Sequence, residues 1–139
     1  MKVVILGAGE VGETLAQRLV GEASDVTLVD SDRQRLERIT EHLDVGHLVG
    51  NAASPRLQQE AGVGAADLVV AVTDEDEVNL LACLVGGSLA PNCTLVARVR
   101  DPDFHAYRAL LETGGVRVDG WISPRLSAAE ELALSLIHI

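Results

Sequence analysis

Gly7, Gly9, Gly12 and Asp30 are the residues of this 139-residue chain whose types and spacing point most directly to chemistry. The run Gly7-Ala8-Gly9-Glu10-Val11-Gly12 has the form G-x-G-x-x-G. In that pattern the first glycine permits a tight turn and the second lets the backbone approach a pyrophosphate. The third lets the following helix pack closely on the sheet. Backbone N–H groups at the helix start then face the phosphates, aided by the helix dipole. Asp30 lies eighteen residues beyond Gly12, near the spacing of about 20 at which an acid meets the adenosine ribose. A carboxylate there accepts both ribose hydroxyls and repels a 2′-phosphate, which favours NAD(H) over NADP(H). A glycine turn that merely packs a βαβ unit is the plainer alternative. The flanking strand, the helix and the spaced acid together favour nucleotide binding.

The elements that must position these residues are legible around them. Val3-Val4-Ile5-Leu6 is an apolar, β-branched run leading into the glycines. Val11, Leu15, Ala16, Leu19 and Val20 then recur at helical spacing. Alternation continues, and we read strands near 2–6, 26–30, 46–49, 68–72, 94–99 and 116–122. Helices fall near 10–22, 32–43, 54–61, 76–90 and 103–113, with a last one from 124 to the end. Ser54-Pro55 and Asp101-Pro102 each place a capping side chain before a proline at the first helical position. Asp74, Glu75, Asp76 and Glu77 crowd the start of the fourth helix. We favour dipole complementation there over a role facing a neighbouring subunit. The expected fold is α/β: a Rossmann-like, doubly wound parallel sheet in three layers. Right-handed crossovers give the strand order 3-2-1-4-5-6 and put a nucleotide over strands 1 and 4.

Composition narrows the class. The length suits one domain, and 47% hydrophobic residues with 2% aromatics imply a core of Val, Leu, Ile and Ala. A net charge of −10 argues against nucleic acid, and against docking or inserting into anionic lipid. Cys83 and Cys93 form no CxxC pair, and Cys83 reads as a small core residue. His42, His47, His105 and His138 are scattered, so no metal site is expected. Gly7 to Glu10 interrupts the only N-terminal apolar run, and no stretch reaches the ~18 apolar residues of a membrane span. A cytoplasmic setting is therefore expected.

Residues 1–123 read as one nucleotide-binding lobe and 124–139 as a separate C-terminal helix. Leu126, Ala129, Leu132, Ala133, Leu136 and Ile137 share a face of that helix, which runs apolar to the last residue. We read it as a truncated helix or one that docks on a partner; packing on the sheet is the plainer alternative.

Further stretches carry a resemblance. They are Val29-Asp30-Ser31-Asp32, Val49-Gly50-Asn51, Ala71-Val72-Thr73-Asp74-Glu75-Asp76-Glu77-Val78-Asn79-Leu80, Ala97-Arg98-Val99-Arg100-Asp101-Pro102 and Ile122-Ser123-Pro124. With Lys2–Gly12 they make the whole chain resemble the N-terminal NAD-binding lobe of the Trk potassium-uptake regulators, the RCK or KTN domain. The resemblance implies a gating subunit beneath a membrane-embedded potassium channel or transporter, peripheral to the inner face of the membrane. It implies no enzyme and no catalytic residue. By position, Gly7, Ala8, Gly9, Glu10, Val11 and Gly12 would line the pyrophosphate, and Asp30 would hold the ribose. Asn51 and Ala52 would flank the adenine, and Thr73 would sit at the switch point. Arg98 would reach the same edge and neutralise phosphate; a surface ion pair with Asp101 or Asp103 is an equal alternative. Some relatives carry a basic residue where this chain has Glu10. Glu10 would repel a γ-phosphate, which leans the ligand toward NAD(H) and away from ATP or ADP. The C-terminal helix would be a crossover and dimerisation helix, and a dimer or larger ring is implied.

Two rival functions are the cofactor domain of an NAD-dependent dehydrogenase and the cytosolic domain of a potassium efflux antiporter. Against the first, no Lys, His or Tyr falls at the C-terminal ends of strands 1, 4 or 5, where hydride chemistry needs an acid or base. The apolar C-terminal stripe generates a prediction of its own. Sedimentation should show a self-associating chain, and Leu132→Glu with Leu136→Glu should return it to monomer. A folded wild type that stays monomeric at high micromolar concentration refutes this.

Overall fold

A computed structural model describes residues 1–22 and 25–122; the expected helix over 124–139 lies outside the described residues. Six strands form one all-parallel sheet in the order β3-β2-β1-β4-β5-β6. They are β1 (Lys2–Leu6), β2 (Asp25–Asp30), β3 (Gly46–Val49), β4 (Leu68–Ala71), β5 (Thr94–Arg98) and β6 (Gly120–Ile122). The helices are α1 (Glu10–Val20), α2 (Arg33–Thr40), α3 (Pro55–Glu60), α4 (Asp76–Leu89), α5 (Pro102–Ala106) and α6 (Arg108–Thr113). A 3₁₀ turn spans Val63–Ala65. The α/β doubly wound fold is as the sequence predicts, including the strand order.

Alternation along the central strands builds two cores. Val3 and Ile5 face one side with Leu28, Leu68, Val70 and Val96, under Val11, Leu15, Leu19, Leu36 and Ile39 of α1 and α2. Val4 and Leu6 face the other with Val69, Ala71, Leu95 and Ala97, under Leu57, Leu80, Ala82 and Cys83 of α3 and α4. A strand buried on both faces cannot alternate apolar with polar, which is why the strands read as continuous Val, Leu and Ala runs. Helices α1 and α2 on one face, and α3 and α4 with residues of α5 and α6 on the other, give the three layers.

The local signals act as expected at most boundaries. Asp32 caps α2 by accepting the Arg35 N–H at 3.2 Å. Ser54 caps α3 through the Leu57 N–H at 3.3 Å, and Asp101 caps α5 through the Asp103 N–H at 2.9 Å. The acids at the start of α4 do more than complement the dipole, for which Asp76 and Glu77 stand in the first turn. Glu75 occupies the N-cap position without a side-chain cap bond. The Asp76 carboxylate instead accepts the backbone N–H groups of Arg100 and Asp101, both at 2.9 Å, and so pins the loop after β5.

Two expected elements come out differently. The single helix over 103–113 is broken at Tyr107, whose φ and ψ of −104° and 20° leave the helical region. Both halves touch the α4-side core, through Phe104 and Leu111, and the first half has further anchors. His105 Nε2 lies 2.6 Å from the Val99 carbonyl oxygen, and its ring meets the Trp121 ring at 5.2 Å. Leu111, in the second half, packs on the α4-side core. The last strand starts at Gly120, not near 116. There the Asp119 carboxylate takes the Leu95 N–H at 2.8 Å, replacing a strand carbonyl.

Cys83 is fully buried and Cys93 nearly so, both as free thiols. Burial foremost, then the neighbouring Cys93 and Asp119, pushes the Cys83 thiol up to about 12 from its ordinary value of 9.0, against an opposing pull from Arg117. The folded state therefore holds this proton more tightly than the unfolded chain does. The stability it contributes is whole below pH 9 and is lost as pH rises toward 12, by about 1.4 kcal/mol per pH unit. Urea titrations at pH 8 and pH 10.5 should show wild type losing about 2 kcal/mol more than Cys83→Ala across that interval. Equal losses in the two proteins would refute the assignment.

Candidate functional site

The glycine turn folds as its sequence requires. Gly7 has φ +118°, and a Cβ there would stand 2.8 Å from backbone atoms of Val72 and Thr73. Its N–H reaches the Val29 carbonyl at 2.7 Å, joining the turn to β2. A Cβ on Gly12 would fall against the Gly7 carbonyl, so α1 packs over the turn only with glycine there. Gly9 differs. Among the described residues beyond its chain neighbours, the one atom within 4 Å of a Cβ at that position is Arg35 Nη1, at 3.9 Å. Among the described residues, only the end of the Arg35 side chain approaches the space over Gly9. Glu13 donates the first intrahelical bond of α1, to the Gly9 carbonyl at 2.8 Å. The N–H groups of Glu10, Val11 and Gly12 thus have no carbonyl in their own helix.

A cleft of about 400 Å³ opens beside this turn, at the C-terminal ends of β1 to β4. That is within the usual range for small-molecule sites, and it lies where the strand order reverses. Asp30 stands in its wall, almost wholly buried. One carboxylate oxygen accepts the Ala8 N–H at 2.7 Å, and the other accepts the Asp32 N–H at 2.8 Å. Arg35 Nη1 lies 3.6 Å from the first of these oxygens. The acid is therefore fixed by backbone donors on both sides, with a guanidinium beside it.

Gly9, Asp30, Asn51, Ala52 and Thr73 all line the cleft, so the fold gathers these sequence-predicted positions from four loops. Asn51 also accepts the Ala53 N–H at 2.9 Å, which sets the turn after β3. Gly7, Ala8, Val11 and Gly12 are buried and shape the turn from behind, while Glu10 is exposed at the start of α1. Arg98 stands apart from the lining. It pairs with Asp74, Nη1 to Oδ1 at 3.8 Å, not with Asp101 or Asp103. Arg100 shares the same Asp74 oxygen at 3.8 Å.

Sequence reasoning missed three contributors. Arg35 lines the cleft, and its signal was its place in the first turn of the helix after Asp30. Asn79 is fully buried. Its Oδ1 accepts the Thr73 N–H at 2.9 Å and the Thr73 hydroxyl at 2.6 Å, while its Nδ2 donates to the carbonyls of Thr73 and Arg98 at 3.1 and 2.7 Å. Gln58 is buried too, and its Nε2 donates to the carbonyls of Ala52 and Ala82 at 3.0 and 3.1 Å. Asn79 thus fixes the loop carrying Thr73, and Gln58 fixes the loop carrying Ala52. Among the described residues, no three His, Cys, Asp or Glu side chains gather as a metal site.

The arrangement fits a nucleotide: open backbone at Gly9 for phosphate, N–H groups of α1 without a partner in their own helix and a fixed acid for a ribose. A family model described as the TrkA-N domain matches residues 3–124. The chain belongs to the TrkA-N family.

This TrkA-N domain is 44% identical over 139 residues to the Trk system potassium uptake protein TrkA of Vibrio alginolyticus, spanning 99% of this chain and 29% of that protein. It thus spans under a third of that relative's length. The TrkA-N domain of the inner membrane protein ybaL from Escherichia coli superposes with a TM-score of 0.77 at 18% identity, covering 99% of this chain and 94% of that one. The GsuK channel bound to NAD gives 0.71 at 20% identity, over 87% and 21% of the two chains. The Shewanella denitrificans Kef CTD in AMP-bound form gives 0.71 at 23%, over 100% and 83%.

The glycine geometry makes a divided prediction. Gly12→Ala should destabilise this TrkA-N domain by about 2–3 kcal/mol, as overpacking against fixed backbone does. Gly9→Ala should leave the unfolding midpoint of the free protein near that of wild type while weakening nucleotide binding. Denaturation curves with and without NADH check both, and equal destabilisation by the two substitutions would refute the division of roles.

Proposed function

We propose that this chain is an NAD(H)-binding sensor that regulates a potassium uptake system and catalyses no reaction of its own. The observation that carries the reading is Asp30, held in the cleft wall by the Ala8 and Asp32 N–H groups beside an open glycine turn. With its backbone partners in place the carboxylate keeps lone pairs for two vicinal hydroxyls. A 2′-phosphate at the same place meets a fixed negative charge. Gly7 to Gly12 then line the pyrophosphate, Asn51 and Ala52 flank the adenine, and Thr73 stands at the switch point. Arg98 acts on phosphate only after parting from Asp74. ATP and ADP are the less favoured ligands, because Glu10 stands at the start of α1 where a γ-phosphate would approach.

The relatives' names support the potassium-transport setting, and the GsuK channel bound to NAD and the AMP-bound Kef CTD support a nucleotide as the signal. The cleft lining supports sensing over catalysis: its charged side chains are Asp30, Arg35, Asp74 and Glu75, with no His, Lys or Tyr among the described lining residues. In this reading the domain works in the cytoplasm as a dimer or larger ring, beneath a membrane-embedded potassium transporter. No described helix is long and apolar enough to cross a membrane. Nucleotide binding shifts a conformational equilibrium that the transporter reads.

Calorimetry with NADH, NAD⁺, NADPH, NADP⁺ and ATP tests the ligand. NADH should bind more tightly than NADPH or ATP, and Asp30→Ala should weaken it by about 1–3 kcal/mol, the scale of a lost charged hydrogen bond. Tighter binding of NADPH overturns the role given to Asp30.

A further inference from the structure

Arg35 is the one basic side chain among the described residues lining the cleft, where Asp30, Asp74 and Glu75 are also present. Its position is set by a closed circuit. Asp30 accepts the Asp32 N–H, and Asp32 accepts the Arg35 N–H as the cap of α2. The Arg35 side chain then folds back until Nη1 stands 3.6 Å from Asp30. That same nitrogen is the atom nearest to where a Gly9 Cβ would lie, at 3.9 Å. The guanidinium therefore overlooks the bare backbone of the glycine turn and the ribose-binding acid together.

At 3.6 Å the contact with Asp30 is an ion pair beyond ordinary hydrogen-bond length. The guanidinium donates no hydrogen bond to any described residue, and the side chain is only about a third exposed. A planar fork with unspent donors, at the edge of a cleft and beside free N–H groups, suits one chemistry above others: phosphate oxygens.

We propose that Arg35 is a specificity-determining residue that binds the phosphates of the nucleotide at the glycine turn. This rests on the reading of the cleft as a nucleotide site. It goes further by assigning the charge recognition to a side chain and not to the helix start alone.

The test is calorimetry of wild type, Arg35→Gln and Arg35→Lys with adenosine, ADP and NADH. Arg35→Gln should weaken ADP and NADH about tenfold or more and leave adenosine within about twofold, since adenosine lacks phosphate. Arg35→Lys should recover part of the loss, because a point charge remains without the fork. Raising salt should weaken NADH binding less in Arg35→Gln than in wild type. A proportional loss of adenosine and ADP would show that Arg35 reads the base or merely steadies Asp30, and would overturn the proposal. Unchanged ADP affinity overturns it as well. A wild type that takes up none of the three ligands overturns the nucleotide reading itself, an outcome distinct from the other two.

Discussion

A carboxylate taken almost wholly out of water must find donors nearby, and Asp30 finds them in the backbone. Its oxygens take the Ala8 and Asp32 N–H groups at 2.7 and 2.8 Å. Each of those bonds fixes a neighbouring element. The first holds the glycine turn against the end of β2, alongside the Gly7 bond to Val29. The second sets the turn from which α2 starts, so that Asp32 caps the helix and Arg35 comes back over the acid. Burying an unpaired polar group costs several times what a paired one contributes. The turn, the acid and the start of α2 therefore stand or fall together. The acid proposed to hold a ribose thus also holds the frame in which that ribose would sit.

On the far side of the switch point an uncharged group does the equivalent work. Asn79 spends both its oxygen and its amide nitrogen twice, tying Thr73 to the carbonyl end of β5. That accounts for the segment running from Thr73 to Asn79 and Leu80, which the glycine motif alone leaves unexplained. Threonine supplies a hydroxyl and a backbone donor, and asparagine six residues on returns to both. The acids between them are spread over separate tasks. Asp76 clamps the loop after β5, and Asp74 meets Arg98 and Arg100.

How much of this was legible in the sequence follows the range of each interaction. The glycine turn, the spacing to Asp30 and the caps at Ser54 and Asp101 depend on residues close in the chain, and their types declare them. The strand order follows from general rules of handedness once the alternation of elements is read. Arg35 was less visible, because a basic residue near a helix start ordinarily means solvent exposure. The Asp119 bond to Leu95 and the His105 contact with Trp121 join residues far apart in the chain. No local pattern predicts them, yet they decide where β6 begins and what holds the first turn of the segment broken at Tyr107. The pairing of Arg98 was also hidden. Asp101 and Asp103 are nearer in sequence, but the parallel sheet brings the end of β5 beside the loop after β4 and so beside Asp74.

The same wiring bears on how the proposed nucleotide would be felt elsewhere. The loop carrying Ala52 is joined to Ala82 of α4 through Gln58, and the loop carrying Thr73 is joined through Asn79 to α4 and to the end of β5. Two walls of the cleft thus converge on one fourteen-residue helix. These side chains are buried, so neither wall moves far without breaking hydrogen bonds that water does not replace. A ligand that draws Ala52 and Thr73 together therefore acts on α4 as a unit. Signal transmission needs an element that both ends of the system bias. Under the proposed sensing function α4 would hold that position, with half-exposed Leu81 on its outer side and the cleft at its start.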